Sequence, residues 1–244
     1  MKTLPDQHSR SKYGVPLFVR YLLYAYVTAL LMLSCGRFIL YLFVHDGSYP
    51  LWDRLSLRSF LIGLQFDTVV LCYLLSLPLL LLFLQRLRGG SGRGVYWLIS
   101  GYVALSASVL LLIVTADLPY FRFFHMRVSE SALQWMNDWK TVLHMIADDS
   151  LYLGLLIGLL IIIPAMTIVI VRNSMRFLSR KVEQPTSSLH DTLFFLLLAG
   201  FCFLGMRGRI DHPIRMGDAV YCHSHLLNQM GLNPAFCLLK SYTE

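Results

Sequence analysis

The chain has 244 residues, of which 56% are hydrophobic and only 14% charged, with a formal net charge of +7. A mean hydropathy of +0.59 is too apolar for an ordinary soluble domain, where about 45–50% apolar residues is usual. The positive excess sits in short segments flanking apolar runs, the pattern of membrane orientation and anionic lipid headgroups, and this excludes a nucleic-acid-binding role.

Five apolar runs follow one another, at Val15–Val44, Phe60–Leu84, Val95–Ala116, Leu151–Val171 and Thr192–Met206, the last gaining Leu189. A bilayer-spanning helix needs about 20 mostly apolar residues, and backbone in hydrocarbon must satisfy its own hydrogen bonds. The expected fold class is therefore all-α integral membrane. It has five transmembrane helices over 15–206, a cytoplasmic head over 1–14, an outer interfacial segment over 117–150 and an extracytoplasmic connector over 207–244. The first run is too long for a cleavable signal core and reads as an uncleaved signal-anchor. Pro78 and Pro164 fall inside spans, where membrane helices tolerate proline.

The connections alternate in charge. The head carries Lys2, Arg10 and Lys12. Gln85–Gly94 carries Arg86, Arg88 and Arg93 with no acid, and Arg172–His190 carries Arg172, Arg176, Arg180 and Lys181 against Glu183. On the other side, His45–Ser59 balances Arg54 and Arg58 with Asp46 and Asp53. Asp117–Ser150 sets Arg122, Arg127 and Lys140 against Asp117, Glu130, Asp138, Asp148 and Asp149. The positive-inside rule then puts the N-terminus in the cytoplasm and, after five crossings, the C-terminus outside.

In the third connection, Val128–Ile146 places apolar residues at helical spacing, with Trp135 and Trp139 four apart on one face. Such a helix caps the bundle at the outer interface or guides a substrate. The aromatic run Pro119–Phe124 fits an interfacial belt, with Arg122 and Arg127 as candidate headgroup contacts because the guanidinium fork suits phosphate.

Ionisable groups inside spans are the sharpest site candidates. Arg37 lies about seven residues before the outer end of the first run and Asp67 about eight past the outer start of the second, so both sit roughly 10–12 Å deep. They are expected either to pair as a lock between helices or to hold a lipid phosphate, with Gln65 nearby on another face and Gly36 and Gly63 allowing close approach. Asp117 closes the third run. The five cysteines, Cys35, Cys72, Cys202, Cys222 and Cys237, form neither a zinc spacing nor a disulfide framework. His223 and His225, with His212 nearby, lack a clear further metal ligand. The tail Arg207–Glu244 is expected as a connector on the outer face, with Ala219–Leu239 mildly amphipathic and broken at Gly231 and Pro234.

Several of these residues agree in order with one family. Gly63-Leu64-Gln65-Phe66-Asp67 opens the second span. Asp117 precedes Tyr120-Phe121 and Arg127. Arg207-Gly208-Arg209 leads to Pro213-Ile214-Arg215, Asp218-Ala219-Val220-Tyr221, Asn228 and Asn233-Pro234-Ala235-Phe236. Over essentially its whole length the chain resembles the N-terminal membrane region of the lipoteichoic acid synthase family, the sulfatase-fold phosphoglycerol transferases of bacterial envelopes. One departure is Gln65, where the family more often has arginine. The resemblance implies a C-terminal extracytoplasmic catalytic domain with a threonine nucleophile and a divalent metal such as manganese. No residue here matches that domain, so the expectation is an anchor without catalytic residues or cofactor, inactive alone, among membrane lipids and anionic phospholipid headgroups: either a truncated or split product, or a chain that works beside a separately encoded catalytic domain. A small stand-alone transporter or channel component, or a structural membrane subunit, is the competing reading.

Overall fold

The computed structural model describes residues 15–44, 50, 53–88, 93–135, 139–178 and 188–243, and among them every regular element is helical. Five long helices make the body: α1 (Leu17–Val44), α2 (Arg54–Leu87), α3 (Arg93–Phe124), α6 (Ser150–Leu178) and α7 (Ser188–Arg207). Between α3 and α6 lie the short α4 (Glu130–Trp135) and α5 (Trp139–Asp148). After α7 come a 3-10 turn (Met216–Ala219), α8 (His225–Met230) and α9 (Pro234–Thr243). Four of the long helices, α1, α2, α3 and α6, are long and apolar enough to cross a membrane. α7, at 20 residues, is the shortest of the five.

The long helices outrun the apolar stretches that announce them. α2 begins six residues before Phe60 and α3 continues eight residues past Ala116, through Pro119. Hydropathy marks the thickness of hydrocarbon, whereas the backbone keeps its hydrogen bonds into the polar layer. Asp117 therefore lies within a helix rather than at its end. The interfacial segment holds two short helices; residues 136–138 and the side chains of Trp135 and Trp139 lie outside the described residues, as do those of the head, 1–14.

Packing fixes the directions. One cluster joins Phe18, Tyr21 and Leu22 at the start of α1 with Leu79 and Leu82 late in α2, Ile99 early in α3 and Cys202 of α7. Tyr21 also donates to Ser174 near the end of α6, at 3.0 Å. At the opposite end Leu40 of α1 packs with Leu118 and Phe121 of α3, with Leu155 of α6 and Leu226 of α8 against them. Successive long helices thus alternate in direction. α7 runs antiparallel to α2: Phe195 stacks on Phe83 at 3.7 Å, and further along Gly205 sits against Cys72 and Thr68. A Cβ at Gly205 would collide with the Cys72 sulfur. α7 ends on Gly208, whose φ of 70° returns the chain and lets its N–H bond Leu204 O.

The largest difference from the sequence expectation concerns residues 207–243. Rather than resting on the outer face, the turn between α8 and α9 sinks into the bundle. Leu227, Met230 and Asn233 are fully buried, and Ala235 joins Leu33, Val70, Leu71 and Leu110 in a core cluster. Ile214, Ala219, Leu232 and Cys237 close over Phe66 and Val69 of α2. The segment Ala219–Leu239 carries no Asp, Glu, Lys or Arg, so burying it desolvates few strongly hydrated groups.

Candidate functional site: a buried ion-pair network

At the end of the bundle that receives α8 and α9, two ion pairs share one interior. Arg37 reaches from α1 to Asp67 on α2 with a two-pronged pair, Nη1 to Oδ2 at 2.8 Å and Nη2 to Oδ1 at 2.9 Å. The approach depends on Gly63: a Cβ there would run into the Arg37 guanidinium. Gly36 similarly accommodates Val114 of α3. Arg37 Nε donates to the carbonyl of Met230 at 2.9 Å, at the close of α8.

The second pair forms between Arg127, just beyond α3, and Asp117 within it. Arg127 Nη1 donates to Asp117 Oδ2, and the carboxylate's other oxygen accepts the Val128 N–H at 2.9 Å. Arg127 then reaches the same turn as Arg37: Nε donates to Gln229 O at 2.9 Å and Nη2 to Met230 O at 3.4 Å, while its backbone N–H donates to Gln229 Oε1 at 3.2 Å. Two arginines from different helices therefore converge on the last carbonyls of α8. These are the acceptors a helix C-terminus leaves open, and the end of the helix dipole that favours cations.

Asn233 completes the network. Its Nδ2 donates to Asp67 Oδ1 at 2.7 Å and its Oδ1 accepts the Phe236 N–H at 3.1 Å. The second bond caps α9 at its start, with Pro234 in the first helical position, where a missing N–H costs nothing. Arg37, Asp67, Asp117, Arg127 and Asn233 are all more than nine-tenths buried. Together with apolar walls from Leu33 and Leu40 they enclose a gap of about 10 Å³, room on the order of one water molecule.

Buried charges survive only when paired and hydrogen-bonded, and here two cations meet two anions with further donors and acceptors around them. The arrangement can lock helices; it holds no serine, threonine or cysteine nucleophile within the network. Arg37 directs its donors inward, to Asp67 and Met230, rather than to the helix surface. Gln65 is apart from the network: its Nε2 donates to Gly208 O at 2.6 Å and pins the end of α7 to α2. Arg122 is exposed, 4.0 Å from Asp149 and near the Phe43 ring. Among the described residues no group of three His, Cys, Asp or Glu could hold a metal ion, and all five cysteines are free.

The residues between α7 and α9 are tied down by contacts that sequence reasoning did not assign. Asn228 accepts the N–H groups of Tyr221 and Cys222 and donates to Cys222 O. Tyr221 OH donates to Leu55 O at 2.6 Å and Ser59 Oγ to Leu227 O at 2.9 Å. Burial raises the Tyr221 hydroxyl above its ordinary value. Burial likewise pushes the Cys237 thiol up to about 12, although Arg127 works the other way. The charge-free stretch and the Asn-Pro pair were the signals for this segment. The carbonyls of Gln229 and Met230 have none, because every residue carries one.

Comparison of the chain with family models, curated proteins and solved structures finds no match.

Proposed function

We propose that this chain is the membrane-anchor portion of a lipoteichoic-acid-synthase-like phosphoglycerol transferase of the sulfatase family, in a bacterial plasma membrane. In this reading α7 is the fifth crossing, the N-terminus is cytoplasmic and α8–α9 lie toward the extracytoplasmic side. The anchor performs no transfer itself; it holds a catalytic domain, continuous with it or separately encoded, whose divalent metal and nucleophile lie outside these residues.

The observation that carries the proposal is the grip of Arg37, Asp67 and Arg127 on the α8–α9 turn. A purely structural bundle has no need to draw the segment after its last long helix into its charged interior. An anchor does, because a clamped exit helix fixes the height and orientation of whatever it carries. Of the network's residues, Asp67, Asp117, Arg127 and Asn233 belong to the stretches that resemble the family. A conduction pathway finds little support, since the charges are paired and the gap between them is the size of one water.

The test is the gene beyond codon 244 and its neighbours. The expected result is a reading frame for a sulfatase-type domain, in frame or adjacent, that copurifies with this chain. A locus lacking one, with liposomes containing this chain alone passing ions or solutes, overturns the proposal in favour of a transporter.

A further inference from the structure

At the opposite end of the bundle, a groove of about 630 Å³ opens between the start of α3 and the end of α6, walled by Trp97, Ile168, Val171 and Met175 and edged by Arg172 and Arg176. Trp97 and Ile168 are more than half exposed and both arginines are exposed. The arginines are one helical turn apart and share a face. Among the described residues neither is bonded to an acid, and no Asp or Glu lines the groove. The chemistry is graded along the groove. Apolar walls suit an acyl chain, an indole sits where amphipathic rings prefer the lipid–water boundary, and two guanidinium forks stand at the mouth.

We propose that this groove is a binding site for a single anionic glycerophospholipid, whose phosphate bridges Arg172 and Arg176 and whose acyl chain lies along Trp97 and Ile168. Charge complementarity selects the occupant. A zwitterionic lipid offers the same chain but cancels its phosphate with an ammonium, and a soluble anion leaves the apolar walls in contact with water. The inference rests on the proposed topology only in assigning the lipid to the cytoplasmic leaflet. The bound lipid would seat the α3–α6 pair at the bilayer surface, far from the ion-pair network at the other end.

Trp97 supplies the probe. The other tryptophans, Trp52, Trp135 and Trp139, are replaced by phenylalanine and the full chain is reconstituted in vesicles in which either phosphatidylglycerol or phosphatidylcholine carries brominated acyl chains. The expected result is that brominated phosphatidylglycerol quenches Trp97 preferentially, with a relative association constant on the order of tenfold over phosphatidylcholine. The preference falls to unity in R172Q/R176Q and returns largely in R172K/R176K. Both arginines are exposed, so these variants keep the fold, and an unchanged melting temperature verifies it. Equal quenching by the two lipids in the parent overturns the proposal. So does quenching by neither, which would mean that protein fills the groove. Quenching does not depend on which way the chain is inserted, so a wrong topology leaves this result standing and shows itself only in reporter fusions.

Discussion

Asn233 has two duties that no other side chain performs equally well. It donates to a buried carboxylate and accepts the N–H that opens α9. Asn233→Leu removes both and is expected to cost about 1–2 kcal/mol from the cap alone, with more from the weakened Asp67 environment. Asn233→Asp keeps the cap but faces a second carboxylate toward Asp67, and is expected to be the more damaging change although it is nearly isosteric. Melting temperatures of the two variants in one detergent decide the order. At the ion pair, Arg37→Leu strands Asp67 and is expected to cost about 3–5 kcal/mol. Adding Asp67→Leu recovers part of that loss but not all, because Met230 O keeps only the longer bond from Arg127 and Asn233 Nδ2 loses its acceptor. A double variant no better than the single one shows that the pair is not mutual; the cycle reads the coupling directly.

Arg37 and Asp67 could be read from the sequence because charge in an apolar run is conspicuous and because antiparallel neighbours bring residues of equal depth together. Asp117 and Arg127 were visible as residues but not as a pair, since the apolar run ends before Asp117 while the helix does not. The convergence of both arginines on α8 was hidden for a deeper reason: its acceptors are main-chain atoms.

At the scale of elements, α1 and α2 approach closely at Gly63, with the guanidinium filling the space a methyl group would take. Gly63→Ala is therefore expected to act as a disruption of the Arg37–Asp67 pair, lowering the melting temperature and adding little to the loss already caused by Arg37→Leu. Full additivity of the two changes contradicts this placement. α9 offers an independent readout of the clamp. Cys237 is buried and its thiol is held up to about 12, so maleimide at neutral pH is expected to leave it unmodified in the parent. Arg127→Leu removes the arginine that holds Gln229 O and one of the two that hold Met230 O, and is expected to expose Cys237 to the reagent. In a variant with every other cysteine changed to serine, equal labelling before and after the substitution counts against the clamp. The helices α8 and α9 were hard to anticipate because each is short. What the sequence does display is their punctuation, with Gly231 closing one and Pro234 opening the next.

For the whole molecule, the alternation of five long helices follows from which ends share a core, and four of them are long and apolar enough for a bilayer. The orientation rests on loop charge. A periplasm-active reporter fused after Glu244 is expected to be active, and one fused within residues 89–92 inactive; the reverse pattern inverts the topology, and activity at neither place removes α7 as a crossing. The number of long helices was legible because hydrocarbon demands contiguous apolar runs. The position of residues 207–243 was not, because a short uncharged segment suits the lipid interface and a protein interior equally well.

The order of synthesis gives the network's closure a further meaning. Residues 229–236 are made after all five long helices, yet they supply the groups that satisfy Arg37, Asp67 and Arg127. Until they arrive, the two charge pairs lack the partners that this segment supplies. Closure of the network therefore waits on a segment made after the long helices it ties together, and a chain that stops short of residue 229 is expected to leave Arg37, Asp67 and Arg127 without those partners.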